Sequence, residues 1–120
     1  MAEAKQDRAD ALILWGSLFA GPLVWAVEHE TNFILVPWAC AFGTQGTLEA
    51  ISMIALLLVA GAAVAGWARL RRAGETSDDS GPGLIPRVRL MAIISIMLNG
   101  LFFLLILQHA MATFMLGACQ

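Results

Sequence analysis

The stretch that decides the fold is residues 88–116, VRLMAIISIMLNGLFFLLILQHAMATFML. A helix needs about 20 apolar residues to cross a hydrocarbon core of about 30 Å, and this run exceeds that with a single charged residue, Arg89. Two more apolar blocks lie at 11–36 and 48–68. Of 120 residues 59% are hydrophobic and only 13% charged, against about 25% charged in an ordinary soluble domain. The blocks predict an all-α integral membrane protein with three transmembrane helices, forming one membrane domain over residues 1–120. No hydrophilic module is left over to carry soluble catalysis. We therefore expect no enzyme activity of its own, a role in an enzyme only as a subunit, and no nucleic-acid partner.

A cleaved signal peptide is the competing reading of the first block. Its leading segment, MAEAKQDRAD, carries one more acid than base, and no small-x-small cleavage site follows cleanly. The first span is expected to be retained.

Basic residues set the expected orientation. Lys5 and Arg8 precede span one, while Arg69, Arg71, Arg72, Arg87 and Arg89 flank the segment between spans two and three; these are all seven in the chain. The positive-inside rule then puts the N-terminus and a connector at about 70–87 in the cytoplasm, and the 37–47 loop and C-terminus outside. Trp15 and Trp67 fall near the inner boundary and Trp38 near the outer one, as interfacial anchors do. GETSDDSGPGLIP, residues 74–86, reads as a flexible connector. No internal repeat supports the inverted-repeat plan of many transporters.

Orientation brings Cys40 and Cys119 to the same outer face, in a compartment that permits disulfides. A Cys40–Cys119 bridge is the expectation, with free thiols or a pair of copper ligands as the alternatives.

Depth along the helices, at about 1.5 Å per residue, gathers the polar residues into one outer band: Glu28, His29, Glu30, Glu49, Gln108 and His109. In span three, Ser95, Asn99, Phe102, Ile106, His109 and Thr113 recur at alternating spacings of four and three and form a packing seam. In span one the corresponding seam is Leu18, Pro22, Trp25, His29 and Asn32. If the seams face each other, His29 and His109 approach at similar height. Glu28 and Glu30 then project to either side of His29, so all three cannot line one site.

Four readings of the band stay open. It is a hydrated structural tie between helices. It is a metal site, in which imidazole and carboxylate suit zinc or iron, and Met111 and Met115 beside His109 and Cys119 suit copper. His29 and His109 are axial ligands of a haem b. Or the acids handle protons or dock a basic soluble electron carrier at the outer face.

Small residues mark close helix approaches. Ala62 and Gly66 in AGAAVAG form a small-xxx-small pair. Gly21-Pro22 loosens span one and releases a backbone carbonyl to another partner.

At FAGPLVWAVEHETNFILVPWAC, residues 19–40, the chain resembles small three-span bacterial membrane proteins encoded beside haem–copper terminal oxidases. The Gly-Pro, Trp25, His29 and PWAC series carries the likeness, with Gln108 and Cys119 at the other end. Glu28 and Glu30 beside the histidine, and His109 after Gln108, depart from that pattern. The resemblance implies association with other membrane subunits of a respiratory electron-transfer complex, as an accessory or assembly subunit. The expectation is such a non-catalytic subunit in the lipid bilayer of a bacterial inner membrane, with no cofactor of its own. The alternative is a small haem- or metal-binding redox carrier using His29 and His109. A small oligomeric transporter or channel is disfavoured, because the spans lack a deep acidic residue.

Overall fold

In the computed structural model, which describes residues 2–75 and 85–119, the chain forms three long helices. They are α1 (Ala2–Phe42), α2 (Gln45–Glu75) and α3 (Ile85–Leu116). Each is long and apolar enough to cross a membrane, and each packs against both others. The bundle is 60 Å long, which is the length of α1 at about 1.5 Å per residue over its 41 residues. The connector expected at 70–87 is shortened from both sides by α2 and α3, and its centre, 76–84, lies outside the described residues.

The helices overrun the apolar blocks. The polar leader is the first part of α1, and α1 continues through Pro22 and Pro37 as far as Phe42. The loop expected at 37–47 is therefore only Gly43 and Thr44, and Cys40 sits in the last helical turn instead of in a loop. Gly43 ends α1 at a φ of 68°. Beyond it, Thr44 N–H donates to the Ala39 carbonyl at 2.9 Å, a Schellman closure that needs the left-handed conformation glycine adopts cheaply. Gly117 ends α3 at a φ of 72°, its N–H donating to the Thr113 carbonyl at 2.9 Å. The two caps turn the chain at the same end of the bundle. There Cys40 and Cys119 form a disulfide across a sequence separation of 79 residues, as expected, so neither offers a thiolate to copper.

The interior of the bundle is unusually polar beside a soluble core. Among the described residues six buried polar side chains, Ser17, Glu28, Asn32, Ser52, Ser95 and Asn99, stand against eight buried apolar ones. Large apolar residues such as Leu12, Phe33, Leu57 and Phe114 face outward. Lipid is as apolar as leucine, so helix association depends on close packing and polar contacts. The apolar part of the interior is Ala55, Leu56, Val59 and Ile106, flanked by Val24, Trp25 and Phe103.

The span-three seam is correct in phase: Ser95, Asn99 and Ile106 are fully buried. In the span-one seam Asn32 is buried as expected and Leu18, Pro22 and Trp25 are half-buried, but the fully buried positions beside them lie one residue earlier. Its buried line is Leu14, Ser17, Gly21, Glu28, Asn32 and Ala39, whereas His29 is exposed. Gly21 explains the shift: a Cβ there would lie 2.9 Å from Asn99 Oδ1 and 3.3 Å from Phe102 Cβ. The helices meet on this glycine, which a proline ring or a tryptophan could not allow. Asn99 Nδ2 crosses the contact to the Ser17 carbonyl at 2.6 Å and also donates to the Ser95 carbonyl at 2.7 Å. The carbonyl that Pro22 leaves without a helical donor is that of Leu18, so α3 serves its neighbour. Gly66 makes the matching approach of α2 to Ser95 and Ile96. At the far end Arg69 donates to Asp10 at 2.7 Å, joining α2 to α1.

Candidate functional site

Toward the disulfide end the polar residues divide by depth inside the bundle. Glu28 is 2% exposed. Its Oε1 accepts from Asn32 Nδ2 at 2.6 Å and from Ser52 Oγ at 2.7 Å, so α1 and α2 share one carboxylate oxygen. Helical spacing makes the first contact: Asn32 lies four residues after Glu28, one turn along the same face. Ser52 reaches the site because α2 turns back after only two residues and runs antiparallel to α1.

The other oxygen, Oε2, is buried and makes no hydrogen bond. It faces His109 Nδ1 of α3 at 3.5 Å. Buried polar groups in native proteins are nearly always satisfied, so this oxygen sets up a specific demand for a proton from the imidazole. His109 is itself about a third exposed, at 35% of its side chain, and links the interior to the surface. Its backbone carbonyl receives Thr113 Oγ1 at 3.1 Å.

His29 lies on the flank of α1, exposed beside this pair. Its ring stacks on Trp25 with centroids 5.5 Å apart and an interplanar angle of 18°. Trp25 in turn packs on Phe102 of α3 at 5.7 Å. The imidazoles of His29 and His109 then lie 5.8 Å apart, centroid to centroid, tilted by 55°. The meeting of the two histidines, read from depth and phase, is present; the residue between the helices is Glu28. The 5.8 Å separation is by itself compatible with two imidazoles on one metal, and the haem reading adds a wide macrocycle that would have to lie between α1 and α3. A single ion is far smaller, although no three His, Cys, Asp or Glu side chains are grouped to hold one among the described residues.

The rest of the band does not converge. Glu30 and Gln108 are exposed. Glu49 borders an open groove of about 280 Å³ between α2 and α3, which Ser52 of the node also lines, with Met53, Leu107, Met111 and Phe114. Met111 and Met115 face outward. The expected outer band is thus a buried node on Glu28, a histidine pair above it, and three dispersed polar residues. Ser52 is the participant that reading the sequence missed, and its signal was available: it interrupts the apolar run ISMIALLLVA of span two. Compared with protein-family models, curated proteins and solved structures, the chain matches none.

Proposed function

We propose that this chain is a non-catalytic accessory or assembly subunit of a membrane electron-transfer complex, respiratory-oxidase-like, in a bacterial inner membrane. In this reading the N-terminus is inside and the disulfide end outside, where Glu30, Gln108 and the histidines offer a docking or proton-handling surface. One observation carries the lateral association. Gly16, Gly61 and Gly100, one on each helix, are exposed, and a Cβ at any of them would meet nothing within 4 Å. Glycine within a helix costs about 1 kcal/mol relative to alanine, and here that cost brings no close contact inside the bundle. Small outward residues do favour close approach by another membrane helix. The electron-transfer assignment rests on the likeness at residues 19–40.

The test is a mild-detergent extraction from native membranes, followed by native electrophoresis and absorbance of the migrating band. Co-migration with a haem-containing complex, and less of that complex when the chain is deleted, is the expected result. A free 12.9 kDa species, with an unchanged complement of respiratory complexes in the deletion strain, would overturn the assignment.

A further inference from the structure

Glu28 uses one oxygen to tie α1 to α2 and holds the other, buried and without a hydrogen bond, toward His109 Nδ1. When ionised, Glu28 can only accept at that position, and the imidazole that serves it then carries its proton on Nδ1. Nε2 is then the nitrogen with a free lone pair. Metal-binding histidines are oriented in this way, donating through one ring nitrogen to a carboxylate while the other takes the ion. The approach of 3.5 Å is a few tenths of an ångström longer than a formed hydrogen bond, a gap that a small turn of the ring closes.

The second imidazole is at the right separation. With metal–nitrogen bonds of about 2.1 Å and ring nitrogens about 1.1 Å from the ring centre, two imidazoles on one tetrahedral or more open ion have centroids about 5–6 Å apart. His29 and His109 stand at 5.8 Å. Both rings are reachable from outside, His29 being exposed and His109 a third exposed. Neither needs a large rearrangement, because Trp25 supports the His29 ring and Glu28 faces the other.

We propose that His29 and His109 form a two-imidazole site for one divalent first-row transition ion, Cu²⁺ or Zn²⁺. Water fills the remaining coordination positions, and Glu28 is the positioning residue. Imidazole favours Cu²⁺ over Zn²⁺, whereas Mg²⁺ and Ca²⁺ require oxygen ligands and are excluded. The inference rests on the geometry of the chain alone and holds or fails independently of any complex it joins.

The experiment uses the full chain in detergent, purified without a polyhistidine tag and stripped of metal, with Cu²⁺ and Zn²⁺ added as the free ions. One ion per chain is expected, tighter for Cu²⁺, with Mg²⁺ giving no binding. The Cu²⁺ electron paramagnetic resonance spectrum should show two coordinated nitrogens, falling to one in His29→Ala. His29→Ala and His109→Ala should each weaken binding at least tenfold. Glu28→Gln should weaken it by about 10–100-fold while the Cys40–Cys119 bridge and helical content are retained, and Glu30→Gln should leave it unchanged. No binding, or binding that survives His29→Ala with the same nitrogen count, overturns the site; wild-type affinity in Glu28→Gln overturns the role of Glu28.

Discussion

Replacing Gly21 with alanine builds a methyl group into the contact between α1 and α3, 2.9 Å from Asn99 Oδ1 and 3.3 Å from both Asn99 Cα and Phe102 Cβ. The amide cannot simply swing aside, because its nitrogen is engaged with the carbonyls of Ser17 and Ser95. Overpacking of this kind costs about 1–3 kcal/mol, and better helix propensity returns about 1 kcal/mol. The net expectation for Gly21→Ala is a loss of about 1 kcal/mol. Asn99→Ala alone removes the interhelical hydrogen bond, a loss of about 0.6–1.7 kcal/mol by comparison with other membrane bundles. The two changes are coupled with a definite sign. Once Asn99 is alanine the 2.9 Å collision has gone, the propensity gain offsets what crowding remains, and Gly21→Ala should be close to neutral. The double variant is then less destabilised than the sum of the singles by about 1 kcal/mol. The assay is reversible unfolding of the four proteins of this cycle in mixed micelles of increasing SDS fraction, followed by tryptophan fluorescence. A stabilising Gly21→Ala in the wild-type background, or additivity within about 0.3 kcal/mol, would refute the close approach at Gly21.

Other expectations use the same assay. Cys119→Ser opens a loop closed across 79 residues, for which chain entropy sets an upper bound of about 4–5 kcal/mol. The measured loss should fall below this bound because spans held in a bilayer are already restricted, and Cys40 should become reactive to maleimide. Gly43→Ala forces a side chain into a left-handed conformation and should cost about 1–2 kcal/mol; a variant as stable as the parent would contradict the cap. Glu28→Ala removes the acceptor of the Ser52 hydroxyl and the shorter contact of the Asn32 amide, which keeps only Ser52 Oγ at 3.3 Å, at about 1–3 kcal/mol for the buried group left unpaired. Ser52→Ala leaves Glu28 and Asn32 bonded to each other at 2.6 Å and should be the milder change; the reverse order would refute the node as described.

Span three was legible in phase because its polar residues stand out. Ser95 and Asn99 interrupt a run of leucine, isoleucine and phenylalanine, and lipid tolerates neither on its own face, so both point inward with Ile106. Span one misled because it offers two stripes one residue apart. Leu18, Pro22, Trp25 and His29 form a regular line of bulky side chains, which is how a soluble helix marks its core face. In lipid, bulk is acceptable outside and smallness is needed inside, so Ser17, Gly21 and Glu28 prevail, while Asn32 of the expected line is buried with them. The disulfide was legible from topology alone. Three facts were not: that Glu28 leads the site, that Ser52 completes it, and that Glu49 borders the groove between α2 and α3. The first follows from the phase of α1 set at Gly21; the other two depend on the rotation of α2, and a largely apolar span with one serine gives little to fix that rotation before packing is known.

The covalent ties of the bundle are unequally distributed between its ends. Around Gly43, Thr44 and the disulfide, α1 is fastened both to α2 and to α3, whereas at the opposite end α1 has no covalent tie and meets α2 through the Asp10–Arg69 pair. The chain is therefore mechanically a clothes-peg, with its spring at the cystine and the jaw formed by α1 closed on the other two helices by non-covalent contacts. The distance from Cys40 to Asp10 is about 45 Å along the helix axis, so a swing of about 5° at the pivot carries Asp10 through about 4 Å. The half-exposed ion pair resists that swing with at most about 1 kcal/mol, and the Asn99–Ser17 bond and the Gly21 contact hold α1 to α3 further in. A neighbouring helix that wedges between α1 and α2 should enter from the Arg69 end, and a change of pressure or thickness in the bilayer should be felt there first.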